Sequence, residues 1–306
     1  MKNTKKQFHI WIFVGLLYAM FIAPNAMVVR IATLEADQFY WNMMRFLAVA
    51  AICLPFVVIS WRKLWHKKVR RWTVAAMISM PIANLTFTAA IAQSQASYVS
   101  IINLITPVFL IVLSAFLTRD GISHRAIAGI SIAAAGAAVV VALPAYLSQD
   151  GVVFYPVATI LVLINSLAYS VNLISIRKMN ENSVPFMAIV GIVSLACVAN
   201  FASLFFTFGD VSRAPMDLTF LLMVAYSAIG ISIVARIVSI ILFEKTNAAT
   251  VGGLTYLATF IAIILPIILL GERLSTEMLI GGALILTGVY IIESHHRQHI
   301  KKHHRH

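Results

Sequence analysis

Aspartate, glutamate and histidine are missing from the depth of every long apolar run in this chain. An enzyme working inside a membrane needs a nucleophile paired with a base, or a metal cluster, and no run carries a His or a carboxylate away from its ends to serve. A cavity for cations normally shows an intramembrane carboxylate, and none is present. The same absence leaves no side chain within a run to carry a coupled proton. Charge of either sign is scarce, at 11% of the 306 residues against 61% hydrophobic. No soluble domain of this size tolerates such a composition on its surface. The two cysteines, Cys53 and Cys197, both fall inside apolar runs, where they are small apolar fillers that say nothing of redox compartment. No connection exceeds roughly a dozen residues, which leaves no room for a second, soluble domain.

What is present is a succession of apolar runs of the roughly 20 residues that a spanning helix needs. Ten are expected, at about 8–29, 39–60, 73–92, 97–118, 125–145, 154–176, 185–207, 218–242, 247–270 and 277–293. The first, behind Lys2, Lys5 and Lys6, imitates a secretory signal. It runs on through Met27-Val28-Val29 to Arg30, and Pro24 sits where a small residue should precede cleavage, so the expectation is a retained first span.

The net charge of +12 is a matter of placement. With the N-terminus in the cytoplasm, that side holds eighteen basic residues, densest between Trp61 and Trp72, while the opposite side holds only Arg30, Arg213 and Arg273. This is the positive-inside pattern, so both termini are expected in the cytoplasm and no nucleic-acid partner is implied. The Trp61–Trp72 loop reads as a topology anchor in contact with anionic membrane lipid. The tail, 295–306, carries six histidines among basic residues. A metal-binding tail and a disordered basic tail are the two readings; the spacing fits no rigid coordination site, so the disordered tail is expected, with no metal and no cofactor.

The sequence also repeats itself. At an offset of 152, Ala248 meets Ala96, Val251 meets Val99, Ser275 meets Ser123, Gly281 meets Gly129 and Gly288 meets Gly136. Each copy reads as an apolar run, a polar break containing an acid (Asp120 or Glu272), and a second run with two glycines seven apart. Five spans per copy is an odd number, so the second copy enters the membrane from the opposite side. The expected fold is an all-α integral membrane protein of ten transmembrane helices in two inverted five-helix repeats, 1–145 and 146–294.

Helical spacing gathers the polar residues onto faces. Span 1 offers Asn25 behind Pro24, and its counterpart, span 6, offers Asn165, Tyr169 and Asn172. Span 3 offers Asn84 and Thr88, and span 8 offers Ser232 and Arg236, with Arg236 in the place of Asn84. Span 4 presents Ser100 and Asn103 beside Pro107. Span 9 presents Thr255 and Thr259, with Tyr256 beside them. Interhelical hydrogen bonding or close packing competes with cavity lining for each. Arg236 is the charge deep enough to receive a carboxylate or phosphate, whereas Arg45, close to the outer surface, reads as a snorkelling structural arginine. Spans 5 and 10, glycine-spaced and nearly without polar groups, read as a packing or homodimerisation surface with no substrate role.

Arg45–Cys53 (RFLAVAAIC), Thr246–Ser275 (TNAATVGGLTYLATFIAIILPIILLGERLS) and Gly281–Ile291 (GGALILTGVYI) resemble the EamA family of the drug/metabolite transporter superfamily. The resemblance covers essentially the whole chain as two five-span units. It implies an exporter in a prokaryotic cytoplasmic membrane, with a cavity lined by spans 1, 3, 4, 6, 8 and 9. Relatives carry amino acids and derivatives, nucleobases, nucleotide-linked sugars and drug-like cations. The break of the first half, Arg119-Asp120-Gly121, departs from the usual pattern. Span 9 has Thr259 where span 4 has Pro107, so the halves are not expected to bend alike. Together these lead us to expect a transporter of a small polar molecule, with an amino acid or another carboxylate preferred, working by alternating access as facilitated diffusion or exchange. A channel and a lipid flippase are the competing classes.

Overall fold

The computed structural model describes residues 2–118, 124–146, 155–245 and 248–303; these are helical apart from short connections, with no strand among them. The first span is two helices, α1 (Lys2–Ile22) and α2 (Asn25–Glu35), broken at Ala23-Pro24 because proline has no N–H to continue the ladder. Helix α3 (Gln38–Ile59) starts under Asp37, whose carboxylate accepts from the Phe39 and Tyr40 amides at 2.8 and 3.1 Å. A short α4 (Trp61–Leu64) lies in the basic loop before α5 (Arg70–Ala92).

Span 4 is also two helices, α6 (Ala96–Asn103) and α7 (Thr106–Thr118), parting just before Pro107. Then come α8 (His124–Tyr146), α9 (Pro156–Glu181) and α10 (Phe186–Phe208). Span 8 is composite. Helix α11 (Leu218–Ala225) runs into a π-helical stretch, Tyr226–Ala235, before α12 (Arg236–Lys245). Helices α13 (Ala248–Leu270) and α14 (Thr276–His303) complete the described chain. The last helix continues through residues 295–303, so that part of the tail is helical where disorder is expected from its composition. Span 4 is broken and α13 is continuous, so the halves differ in bending as Pro107 against Thr259 predicts.

Seven helical stretches among the described residues are long and apolar enough to cross a membrane. Three shorter apolar helices, Ile127–Val140, Leu257–Leu270 and Thr276–Ile291, fall where spans 5, 9 and 10 are expected. Three long pairings organise the bundle: α8 with α14, α3 with α10, and α5 with α9. The first two join counterparts from the two copies, as a two-fold relation requires.

The glycines make that relation explicit. A Cβ on Gly136 would sit 2.6 Å from the Gly281 carbonyl oxygen, and one on Gly288 would strike the Gly129 carbonyl. At an offset of 152, Gly129 corresponds to Gly281 and Gly136 to Gly288, so the two-fold exchanges these contacts and the helices cross antiparallel. The glycine surface of spans 5 and 10 is therefore spent within the chain, backbone against backbone. Between α3 and α10, Phe46 stacks on Phe201 with centroids 6.0 Å apart.

Pairing is unequal elsewhere. Helix α5 packs along most of α9, while the corresponding contact of α1 and α2 with span 8 is thinner. The space left on that side opens into a cavity.

Candidate functional site

A cavity of about 400 Å³ lies between α1–α2, α3, α5, α9, α10 and the π stretch of span 8. It brings together Asn25, Asn84, Asn103, Asn165, Tyr169, Asn172, Ser232 and Arg236 from the polar faces. A second space of about 340 Å³ shares Asn25, Asn103 and Tyr169 with it and adds Ser100 and Thr259. The polar faces of spans 1, 3, 4, 6, 8 and 9 thus meet in one region. The side chains of Thr255 and Tyr256 lie outside the described residues.

Thr88 departs from expectation. It is fully buried, donates to the Asn84 carbonyl at 2.8 Å and accepts from Asn42 Nδ2 at 3.0 Å. It ties α5 to α3 away from the cavity, because hydroxyls in a membrane are most cheaply satisfied by their own preceding turn and a neighbouring helix.

Arg45 is the larger correction. A snorkelling arginine would reach outward; this one is 7% exposed, lines the cavity and donates from Nη2 to Asn84 Oδ1 at 2.9 Å. Its guanidinium stands 4.8 Å from the Phe46 ring centroid, and its Nε is buried without a partner. Sequence distance from the helix end gives depth but not direction, and the α3–α10 pairing turns this face inward. One signal was available. The counterpart of Arg45 is Cys197, which sits on α10, the helix that pairs along α3.

Arg236 comes directly after the π stretch, whose i→i+5 bonding widens the helix and resets the direction in which α12 presents its side chains. Ser232 marks that winding by donating to the Ser227 carbonyl, five residues back, at 3.0 Å. Arg236 Nη2 donates to the Tyr169 hydroxyl at 3.2 Å, its sole hydrogen bond among the described residues. Neither Arg45 nor Arg236 forms an ion pair among those residues, and none of the described acids lines the cavity.

The asparagines of α9 serve the wall as well as the space. Asn165 Nδ2 donates to the Ala83 carbonyl at 2.8 Å and Asn172 Nδ2 to the Ala76 carbonyl at 3.4 Å, fastening α9 to α5. Asn103 Oδ1 accepts from Thr106 at 2.9 Å and Ser166 at 3.0 Å, bracing the break between α6 and α7. Asn25 keeps a buried Oδ1 with no partner beside the Pro24 break.

The cavity runs from mid-helix toward the side of the basic Trp61–Trp72 loop, reaching Ile176 and Phe186. On the opposite side, side chains tie helix ends to one another. Arg30 Nη1 donates to the Ile91 and Ala92 carbonyls at the end of α5, at 2.7 and 2.9 Å. Arg213 Nη2 donates to Thr33, Leu34 and Ala36 carbonyls at the end of α2, at 3.0, 2.9 and 3.3 Å. Glu272, the acid of the second break, receives the Ala96 and Ser97 amides, both at 2.8 Å, and the Ser97 hydroxyl at 2.6 Å. A carboxylate on the first amides of α6 satisfies orphan donors and complements the helix dipole. Its counterpart Asp120 lies outside the described residues.

A solved crystal structure of 17% sequence identity superposes with a TM-score of 0.61, covering 92% of this chain and 96% of the other, and shares its fold. Comparison with curated proteins returns no match. The EamA-like transporter family matches twice, at residues 9–142 and 157–294, meeting the repeat found by internal comparison. Two copies of that unit, an all-helical apolar fold and a polar cavity where the copies meet lead to one conclusion: the chain belongs to the EamA-like transporter family, within the drug/metabolite transporter superfamily.

Proposed function

We propose that this transporter moves a small organic anion, a carboxylate by preference, by alternating access through ten spans with both termini in the cytoplasm. Ten spans are favoured because α8 and α13 are each 23 residues long, roughly 34 Å at 1.5 Å per residue, enough for a hydrocarbon core of about 30 Å. The basic loops supply the orientation, and the direction of physiological movement in this reading is outward. The observation that carries the anion is the cavity wall itself, with Arg236 and Arg45 in it and no carboxylate. Arg45 is buried and Arg236 half-buried; guanidinium groups so withdrawn from water without a counter-charge are costly unless water or an anionic ligand satisfies them, and a cation would meet only repulsion. The same lack of a titratable acid supports facilitated movement or exchange over proton coupling.

With cytoplasmic termini, the cavity reaches the cytoplasm and the helix-end ties close the outer face. Glu272 then acts as an outer latch on α6. Glu272→Ala strands the Ala96 and Ser97 amides, a loss of about 1–3 kcal/mol, and shifts the population toward outward opening. A cysteine placed at Ser100 should be labelled several-fold faster by an impermeant maleimide from outside in the Ala variant; an unchanged rate shows that Glu272 is no latch.

The functional reading is tested by counterflow in proteoliposomes preloaded with small carboxylates or with quaternary amines. Saturable exchange of labelled carboxylate, with none of labelled choline, is expected. Choline exchange without carboxylate exchange overturns the anion, and unitary conductance steps in a planar bilayer overturn alternating access in favour of a channel.

A further inference from the structure

We propose that the cargo carries two separated anionic groups, one received by Arg45 and the other by Arg236. This rests on the anion reading above and narrows it. Both guanidiniums line the same cavity, yet they enter it from different levels. Arg45 lies two turns from the outer end of α3 and Arg236 about two and a half turns from the inner end of α12. Tyr169 lines the cavity with both, and its phenol oxygen accepts from Arg236 at 3.2 Å.

Each arginine also has unspent capacity. A guanidinium has five N–H donors in a fixed fork. Arg45 uses one toward Asn84 and keeps its buried Nε unpartnered, while Arg236 uses one toward Tyr169. A single carboxylate fills one fork and leaves the other cation desolvated. A zwitterionic α-amino acid is worse, because its ammonium meets two guanidiniums and no acid. A short molecule with an anion at each end fills both forks and neutralises the wall. The cavity, about 400 Å³, falls at the small end of the range for ligand pockets, which suits such a molecule better than a nucleotide-linked sugar.

The test is calorimetric titration of the purified full-length protein with succinate, lactate, glutamine and choline. Wild type should bind succinate at least tenfold tighter than lactate, and glutamine more weakly than either. Arg45→Gln should lower succinate affinity at least tenfold, to the level of lactate, while lactate binding persists through Arg236 and reports a folded site. Arg45→Lys should recover part of the succinate preference. Equal binding of succinate and lactate by wild type, which needs no variant to fold, overturns the two-ended cargo and leaves the anion reading standing. A preference for succinate that Arg45→Gln leaves unchanged also overturns it. Binding of choline with neither acid overturns both readings.

Discussion

Arg236→Gln should reduce exchange of the anionic cargo by roughly tenfold to a hundredfold while leaving a folded, monodisperse protein. Charge-assisted hydrogen bonds are worth about 1.5–3 kcal/mol each; a bidentate acid would use two of them, and glutamine keeps one donor, so the net loss is about one such bond. The cost to the fold is small, because the Arg236 side chain makes a single hydrogen bond among the described residues, to the hydroxyl of the half-buried Tyr169. Glutamine keeps much of the length and a hydrogen-bond donor, so what it removes is the charge and the fork. Arg236→Lys should fall between the two, since an ammonium restores the charge as a point without the planar geometry. Counterflow at several cargo concentrations separates the outcomes. A raised half-saturation with normal expression fits a ligand-binding arginine; full exchange in the Gln variant makes Arg236 structural.

Gly136→Leu should prevent the bundle from assembling. The new Cβ would lie 2.6 Å from the Gly281 oxygen, 2.7 Å from the Ile285 nitrogen and 2.8 Å from the Leu284 Cβ. Two of those atoms are backbone, so no side-chain rotation relieves the clash, and α8 must move off α14. Overpacking costs about 1–3 kcal/mol where side chains can yield; more is expected where they cannot. Gly282→Ala is the control in the same helix pair, because its Cβ meets only the Ile101 side chain, at 3.3 Å. In a thermal series read by size exclusion, Gly136→Leu should lose the monodisperse peak or melt far below wild type, and Gly282→Ala should stay close to it. Wild-type behaviour of Gly136→Leu would refute the close antiparallel crossing and, with it, the two-fold relation of the halves.

The sequence made the architecture readable because a membrane constrains it so tightly. Backbone groups must be satisfied within helices, so apolar length alone places most spans, and the 152-residue offset pairs the copies before any contact is known. Pro24 and Pro107 mark breaks, whereas Pro55, Pro81 and Pro266 lie within continuous helices, so proline alone does not announce one. Azimuth was harder to read. Arg45 was legible as a charge two turns into α3, but whether it turned to lipid, surface or cavity depended on α10, far away in sequence. Thr88 shares a helical face with Asn84 yet is claimed by Asn42 of a neighbouring helix. The π stretch before Arg236 has no residue pattern of its own, since Tyr226–Ala235 is an ordinary apolar sequence. The outer arginines illustrate a different limit. Counting charges identified Arg30 and Arg213, with Arg273, as the exceptions to the positive-inside pattern, and only the fold connects the first two with the helix ends they cap.

Both arginines matter to function only if the anion sits in the cavity they line. Ile176 lies half-buried at its inner mouth, and the native Cys53 and Cys197 are fully buried, so a cysteine at Ile176 offers one reactive thiol. The decisive measurement is the rate at which that thiol reacts with a maleimide in the presence of succinate or of choline. Succinate should slow the reaction at concentrations that saturate exchange and choline should not; protection by choline with none by succinate would contradict an anion-binding cavity.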